Sequence, residues 1–317
     1  MTRFLTDADV DRCVGLPEML PAIESMMANY GEGEAANLTR RKIHSPAGYL
    51  AVMGGGLFYD GVFGVKTFTF TANGYSFQVS LYDASTGGLL LYTQANRLGQ
   101  LRTGSTTGAA LRLLASAEVP RLGLIGTGNQ AGDQLRAACA VRDVGEIYAY
   151  SRNAERRQAF ATRMSDELGR PVIAADANRD AVADCSVVIG IAPAVTPVVE
   201  GEWLADGATV IGAGPTTPRS HEVDATVLAR ASRLFVDSLD QAPLECGDIN
   251  AAVDRGLVRW SQFHELRHVA AGMLPGRTET DGIIYCKLMG TGLADVAAAK
   301  LVLDRAEELD IGVQMNW

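Results

Sequence analysis

The chain is short of cysteine, aromatic residues and positive charge, and it has no long apolar run. Its five cysteines (Cys13, Cys139, Cys185, Cys246 and Cys286) are odd in number, far apart and without a CxxC pair. That spacing argues against a disulfide framework or a zinc–cysteine cluster and reads as reduced, cytoplasmic usage. Lys and Arg number 28 against 37 Asp and Glu, a formal charge of −9, so phosphate backbones and anionic lipid heads are repelled. Nucleic-acid and membrane-surface roles are not expected. Nowhere do about 18 uncharged apolar residues occur together, and the opening MTRFLTDADVDRC has no apolar stretch of signal-peptide type. What the chain does have is 47% hydrophobic residues and 34 glycines in 317 residues, enough for one or two well-buried domains with many tight turns.

The pattern changes character twice along the chain. Thr6 reads as the N-cap of a short helix, and Leu20, Ile23, Met26 and Met27 repeat at helical spacing within a second helix over Leu16 to Tyr30. From about Asn37 to Thr93, runs rich in Val, Thr, Tyr and Phe are punctuated by Gly54-Gly55-Gly56, Asn73-Gly74 and Gly87-Gly88, which predicts an antiparallel meander. A long helix follows over Arg97 to Ala117. Beyond Pro120, β-branched apolar runs alternate with helices (RLGLI, EIYAYS, PVIAA, DCSVVIGIA, ATVIGAG, RLFVDS), the grammar of a parallel sheet covered on both faces. An Ala-rich amphipathic helix over Ala294 to Asp310 closes the chain and is expected to fold back on the first region. The fold class is α/β: a doubly wound parallel sheet over residues 118–294, and an α+β domain built from residues 1–117 with 295–317.

Gly126-Thr127-Gly128-Asn129-Gln130-Ala131 follows the strand RLGLI and opens a helix, the G-x-G-x-x-A form of the dinucleotide fingerprint. The first glycine serves the tight turn and the second lets the backbone approach a pyrophosphate. The alanine allows close helix–strand packing, with the phosphates at the helix N-terminus. The parallel-sheet domain is therefore of Rossmann type and expected to bind NAD(P). At the end of its second strand stand Ser151, Arg152 and Asn153, with Arg156 and Arg157 one turn on, where an NAD site places an acidic residue. Hydroxyl and guanidinium groups suit a 2′-phosphate, so NADP(H) is preferred over NAD(H).

In the first region, Arg41 in LTRRKI, Lys66 in GVFGVKTF and Arg102 in QLRTGSTTGAA are cations set among apolar or small residues rather than in solvated charge runs. Each alone is readable as a snorkelling or salt-bridged side chain; three beside a dinucleotide fold point to a clamp for a carboxylate. Tyr49, Met53, Phe70 and Tyr75 read as sheet core, with a substrate side-chain pocket as the alternative.

The ordered set GVKTF, LYDASTG, QLRTGSTTGAA, GLIGTGNQA, LFVDSLDQAPLECGDI, AAGMLPGR and KLMGTGLADVAAA, which spans nearly the whole chain, resembles the ornithine cyclodeaminase and mu-crystallin family, which includes alanine dehydrogenases and ketimine reductases. The resemblance implies a homodimer whose first region, with the C-terminal helix, is the substrate-binding and dimerisation domain. It implies that Arg41 and Arg102 bind the substrate carboxylate, with Arg40 the adjacent rival for the first role. Lys66 would orient the substrate and donate a proton. It further implies that Asp237 and the segment Lys287-Leu288-Met289-Gly290 lie near the nicotinamide, with Asp237 a catalytic candidate and Lys287 and Gly290 cofactor contacts; Asp248 and Asp295 are read as capping or structural.

Cyclodeaminases of the family carry an aspartate that handles the amine, in a loop of the form G-x-D-x-P-G-K. Here the corresponding segment, Gly212 to Arg219, has none. The expected reaction is therefore reduction of a small α-imino acid to the amino acid, or its reverse. A lyase with recycled NAD and a non-enzymatic ligand-binding protein are the alternatives. His264-Glu265-Leu266-Arg267-His268 spells H-E-x-x-H, which on a helix would hold Zn²⁺. Ala271 and Leu274 stand where the extended motif needs Gly and a third His, and no metal is expected.

Overall fold

Alternation of inward apolar and outward polar residues through the middle of the first hundred residues produces long paired strands. The structure is a computed structural model and describes residues 1–214 and 216–316. The elements in chain order are β1 (Thr2–Leu5), α1 (Asp7–Cys13), α2 (Leu16–Glu32), β2 (Ala35–Ser45), β3 (Gly48–Leu57), β4 (Val62–Thr71), β5 (Gly74–Asp83), β6 (Leu89–Gln94) and α3 (Asn96–Leu114). There follow β7 (Glu118–Ile125), α4 (Ala131–Val141), β8 (Asp143–Tyr150), α5 (Ala154–Leu168), β9 (Val172–Ala174), α6 (Asn178–Val182), β10 (Val187–Gly190), β11 (Thr209–Gly212), α7 (Ala225–Arg230) and β12 (Ala231–Val236). The chain ends with α8 (Ala242–Glu245), α9 (Gly247–Asp254), β13 (Phe263–Glu265), α10 (Leu266–Ala270), β14 (Ile283–Lys287), α11 (Gly292–Glu308) and β15 (Val313–Met315).

Two units result, Met1–Thr106 with Gly290–Trp317, and Thr107–Met289. Both crossings fall earlier in the chain than the sequence placed them. The reason for the first is α3: Ala110, Leu111 and Leu114 of its second half belong to the core of the second unit, so the division runs through the helix rather than after it.

The first unit is a seven-stranded sheet in the order β15-β1-β6-β5-β4-β3-β2. Its meander β2 to β6 is antiparallel, while β1 joins β6 in parallel. The terminal strands β1 and β15, absent from the sequence reading, pair with each other. Thr6 caps α1 in a reciprocal capping box with Asp9. The expected Ala-rich helix is α11, and it lies against the sheet because the strands beneath it carry glycine: a Cβ on Gly64 would stand 2.6 Å from Val296 Cγ2. Leu293, Val296, Val302 and Leu303 are buried along it, at about 1.5–3 kcal/mol for each such side chain fully removed from water.

The register of β2 on β3 slips between Leu38 and Arg41: Leu38 pairs with Gly54 but Arg41 with Val52. Thr39 and Arg40 together oppose Met53, a β-bulge, and every later residue of β2 changes face. Met53 in turn pairs with Lys66.

The second unit is an all-parallel eight-stranded sheet in the order β13-β12-β14-β11-β10-β7-β8-β9. Its inner strands VVIG, TVIG and IIYCK are buried at every residue, as a sheet covered on both faces requires. The order reverses direction on either side of β7, and the crevice beyond the carboxyl ends of β7 and β10 is where open α/β sheets take ligands. Among the described residues no helix is long and apolar enough to cross a membrane.

Candidate active site

Lys66 stands in the middle of β4, Arg102 on α3 and Asp295 in the first turn of α11, and the first unit brings all three together. Lys66 Nζ donates to Asp295 Oδ1 at 2.8 Å, and Arg102 Nε donates to the same oxygen at 2.9 Å. Exposures are 4% for Lys66, 8% for Arg102 and 0% for Asp295. Asp295 Oδ2 is buried and has no hydrogen-bond partner among the described residues. Two cations thus share one oxygen of one carboxylate, which leaves a surplus positive charge in a dry place. Burial pushes the Lys66 ammonium down to about 8; Asp295 pulls the other way, while Arg102 and Arg40 repel the charge. Burial would raise the Asp295 carboxyl, but Arg102 and Lys66 overcome it and hold the carboxyl below its ordinary value.

One glycine makes room for this cluster: Gly290 adopts φ +75°, and a Cβ there would stand 2.7 Å from Arg102 Nη1, whereas a Cβ on Gly99, one helical turn before Arg102, would lie 3.7 Å from Lys66 Nζ, an ordinary contact distance. The outer guanidinium nitrogens of Arg102 make no hydrogen bond among the described residues, so the fork stays open for a planar anion.

Of the two adjacent arginines of β2, the bulge selects Arg40. It lies on the face of Lys66, donates from Nη2 to Gly290 O at 3.2 Å and stands over the Phe68 ring at 5.8 Å. Arg41 pairs with Val52 on the opposite face and is exposed, so the structure does not bring it to Lys66 and Arg102. Gly290, read from sequence as a cofactor contact, sits within this cation group of the first unit, its carbonyl taken by Arg40.

The glycine turn of the second unit has the geometry its residue types demand. Gly126 adopts φ +111°, and a Cβ there would lie 2.8 Å from Ile191 O; its N–H donates to Tyr150 O at 2.8 Å. A Cβ on Gly128 would meet nothing within 4 Å, so the space beside this glycine is open, and a dinucleotide pyrophosphate fits there. Asn129 and Gln130 are exposed at the entry to α4, and Ala131, its first residue, is fully buried.

Thr127 and Ser151 share a 2.7 Å hydrogen bond between their hydroxyls, joining the turn to the end of β8. Asn153 is the N-cap of α5, its side chain accepting from Arg156 N at 2.8 Å, which commits it to the helix. Arg157 folds inward, donating to Ser151 O at 2.6 Å and lying over Tyr150. Arg152 and Arg156 remain exposed.

At the carboxyl ends of the neighbouring strands, Glu222 performs a role the sequence did not disclose. It is fully buried, accepts from Ala192 N and Gly214 N at 3.2 and 2.8 Å, and pairs with Lys287 Nζ at 2.9 Å. One carboxylate thereby ties the ends of β10, β11 and β14. Lys287 is consequently a structural cation: burial alone would lower it, and Glu222 raises it above its usual value. Asp237, at the end of β12, accepts from Met289 N at 2.9 Å and braces that turn.

His264 and Glu265 lie on β13 and His268 on α10, so the H-E-x-x-H segment bends and does not present two imidazoles on one helix face. Glu265 instead accepts from Leu239 N and pairs with Arg267. The sequence reading missed the roles of two residues, Asp295 and Glu222, and only the first left a signal. An aspartate embedded in GLADVAAA, apolar on every side, calls for a buried cation partner; Glu222 carries no such mark.

The sequence profile described as the Ornithine cyclodeaminase/mu-crystallin family matches residues 1–310. A Delta(1)-pyrroline-2-carboxylate reductase of Bacillus cereus is 31% identical over 241 residues, 75% of this chain and 74% of that protein. The Thermococcus litoralis Delta(1)-pyrroline-2-carboxylate reductase, in complex with NADH and L-proline, superposes with a TM-score of 0.94 at 26% identity, covering 99% of this chain and 100% of that one. An archaeal alanine dehydrogenase, a dimer with bound NAD, gives 0.92 at 28% identity, covering 100% and 99%.

Proposed function

Because the chain belongs to the ornithine cyclodeaminase/mu-crystallin family, we propose that it is an NAD(P)H-dependent reductase of a small α-imino acid, yielding the L-amino acid, and that it works as a homodimer like the archaeal alanine dehydrogenase. The observation that carries this reading is the pair Lys66 and Arg102 sharing a single oxygen of Asp295. A buried surplus cation needs an anion, and the carboxylate of an imino acid supplies one.

Arg102 takes the carboxylate through its open fork, and Arg40, on the same face, takes the place the sequence offered to Arg41. Lys66, with its ammonium held among fixed charges, keeps a proton on the substrate nitrogen so that the carbon stays electrophilic. A reduced nicotinamide cofactor held at the glycine turn, residues 126–131, would supply the hydride. Asp237 acts by bracing its turn. Position 214 offers no carboxylate for an amine: Gly214 donates to Glu222, which is spent on Lys287, and this favours reduction over ring-closing deamination.

The direct test is loss of 340 nm absorbance with NADPH and a panel of imino acids, preformed or generated from keto acids and ammonium. Ammonia release from ornithine with no net change in cofactor would assign the protein to the lyase instead. Arg102→Ala is expected to lower kcat/KM about 100-fold and Arg40→Ala about tenfold, with Arg41→Ala within about threefold of the parent, since only the first two lie on the face of Lys66. Equal losses for Arg40→Ala and Arg41→Ala would refute that assignment.

NADP(H) is the preferred cofactor in this reading, supported by Ser151 beside the glycine turn, by the exposed guanidinium groups of Arg152 and Arg156, and by the lack of an acidic residue at the end of β8. The double variant Arg152→Ala/Arg156→Ala is expected to lower kcat/KM for NADPH by about tenfold or more and for NADH by less than about threefold. An NADH preference in the parent protein would count against it.

A further inference from the structure

The face of the sheet that carries Lys66 continues past it into aromatic residues. Along β4 the same face bears Phe68 and Phe70; the register sets Phe77 and Tyr75 of β5 opposite them, and Ala51 and Tyr49 of β3 on the other side. The five rings touch in sequence. Phe68 and Phe77 have centroids 5.4 Å apart, Tyr75 and Phe77 are stacked at 5.5 Å and 10°, Phe70 and Tyr75 stand at 4.6 Å, and Tyr49 and Phe70 at 5.6 Å.

The row is joined to the cations at its inner end, where Lys66 Nζ stands 5.3 Å from the Phe77 ring centre and Arg40 stands over Phe68. It opens outward: Phe68 is 8% exposed, Phe70 40% and Tyr75 56%. Within the first unit, α11 packs on the other half of this face, at Gly55 and Gly64, and leaves the ring half beyond its N-terminus. The inner part of the ring half, Phe68 with Ala51 and Met53 and with Tyr49 and Phe77 packed against them, is closed core; Phe70 and Tyr75 carry the same face on into the open. The whole is a graded aromatic shelf with a cation clamp at its deep end.

We infer that the rings of Phe68, Phe70, Tyr75 and Phe77 form the subsite for the substrate's side chain, and that the preferred substrate is the imine of an aromatic α-keto acid. The inference rests on the imino-acid reductase reading. With the carboxylate held by Arg102 and the ammonium of Lys66 at the deep end, an aryl group on the next carbon lies over the rings in the offset or edge contacts such pairs favour. The reaction is otherwise that already proposed: the C=N π-bond breaks, the carbon gains hydride, the nitrogen keeps its protons as the amine, and NAD(P)H is oxidised to NAD(P)⁺.

The test is a comparison of kcat/KM for phenylpyruvate, pyruvate and oxaloacetate, each with saturating ammonium, and for Δ1-pyrroline-2-carboxylate, in the parent protein and in Tyr75→Ala and Phe77→Leu. Tyr75 is mostly exposed, so its replacement leaves the fold intact. The expected result is a preference of about tenfold or more for the phenylpyruvate imine, and a fall of about tenfold in that preference in each variant. Preference for a small aliphatic or cyclic imine, or an equal effect of the variants on every substrate, overturns the aromatic subsite while leaving the reductase in place. No NAD(P)H oxidation with any of the four overturns both.

Discussion

Lys66→Met is expected to lower kcat/KM by about 1,000-fold while leaving NADPH affinity unchanged, because it removes the ammonium and keeps the length and apolar stem of the side chain. Asp295 remains paired with Arg102 in this variant, so no uncompensated charge is buried and the fold persists. The pH profile carries the same chemistry. Burial lowers the Lys66 ammonium to about 8, and the protonated form is the one that serves reduction. kcat/KM should therefore be level below that pH and fall about tenfold per pH unit above it. The pull of Asp295 raises Lys66, so Asp295→Asn moves the limb to lower pH. A limb that stays in place in Asp295→Asn, or a Lys66→Met protein with near-normal turnover, would remove Lys66 from proton transfer.

Asp295→Ala is the second large effect, and it falls on stability. Deleting this carboxylate leaves Lys66 and Arg102 facing each other in a buried site with nothing between them, a loss of about 3–5 kcal/mol. The direction with pH follows from the lowered carboxyl: the stability Asp295 contributes is complete above its unfolded value of 3.8 and is lost as the pH falls through the depressed folded value. Urea unfolding at pH 7 measures the difference between parent and variant. A cost below about 1 kcal/mol would mean that the two cations do not depend on Asp295. Asp295→Asn keeps the shape and one acceptor, and is expected to fall between parent and Ala.

Much of the chain declares itself locally. The glycine turn, the alternation of apolar strands with helices, the meander expected from about Asn37 to Thr93 and the Ala-rich final helix each depend on neighbours a few residues apart, and each occurs within about two residues of where the pattern placed it, although β13 and the inner strand β14 of the parallel sheet were not among the expected strands. Lys66 and Arg102 are also legible as lone cations among small and apolar residues. The HExxH segment shows the limit of motif reading: its residue types suit zinc, but Glu265 is drawn to Leu239 and Arg267, and the segment divides between β13 and α10.

Local period and residue type determined, without any coordinates, that this chain builds a parallel dinucleotide-type sheet and an antiparallel companion, because strand alternation, helix spacing and the conformational freedom of glycine are properties of short segments. Which arginine of the 40–41 pair shares a face with Lys66 was decided by one extra residue in β2, and a bulge inverts every side chain after it without disturbing composition. That Asp295 neutralises cations 229 and 193 positions away, and that Glu222 ties three strand ends, were decided by packing alone: a buried charge must find its partner wherever the folded chain brings one, and sequence distance places no bound on that search.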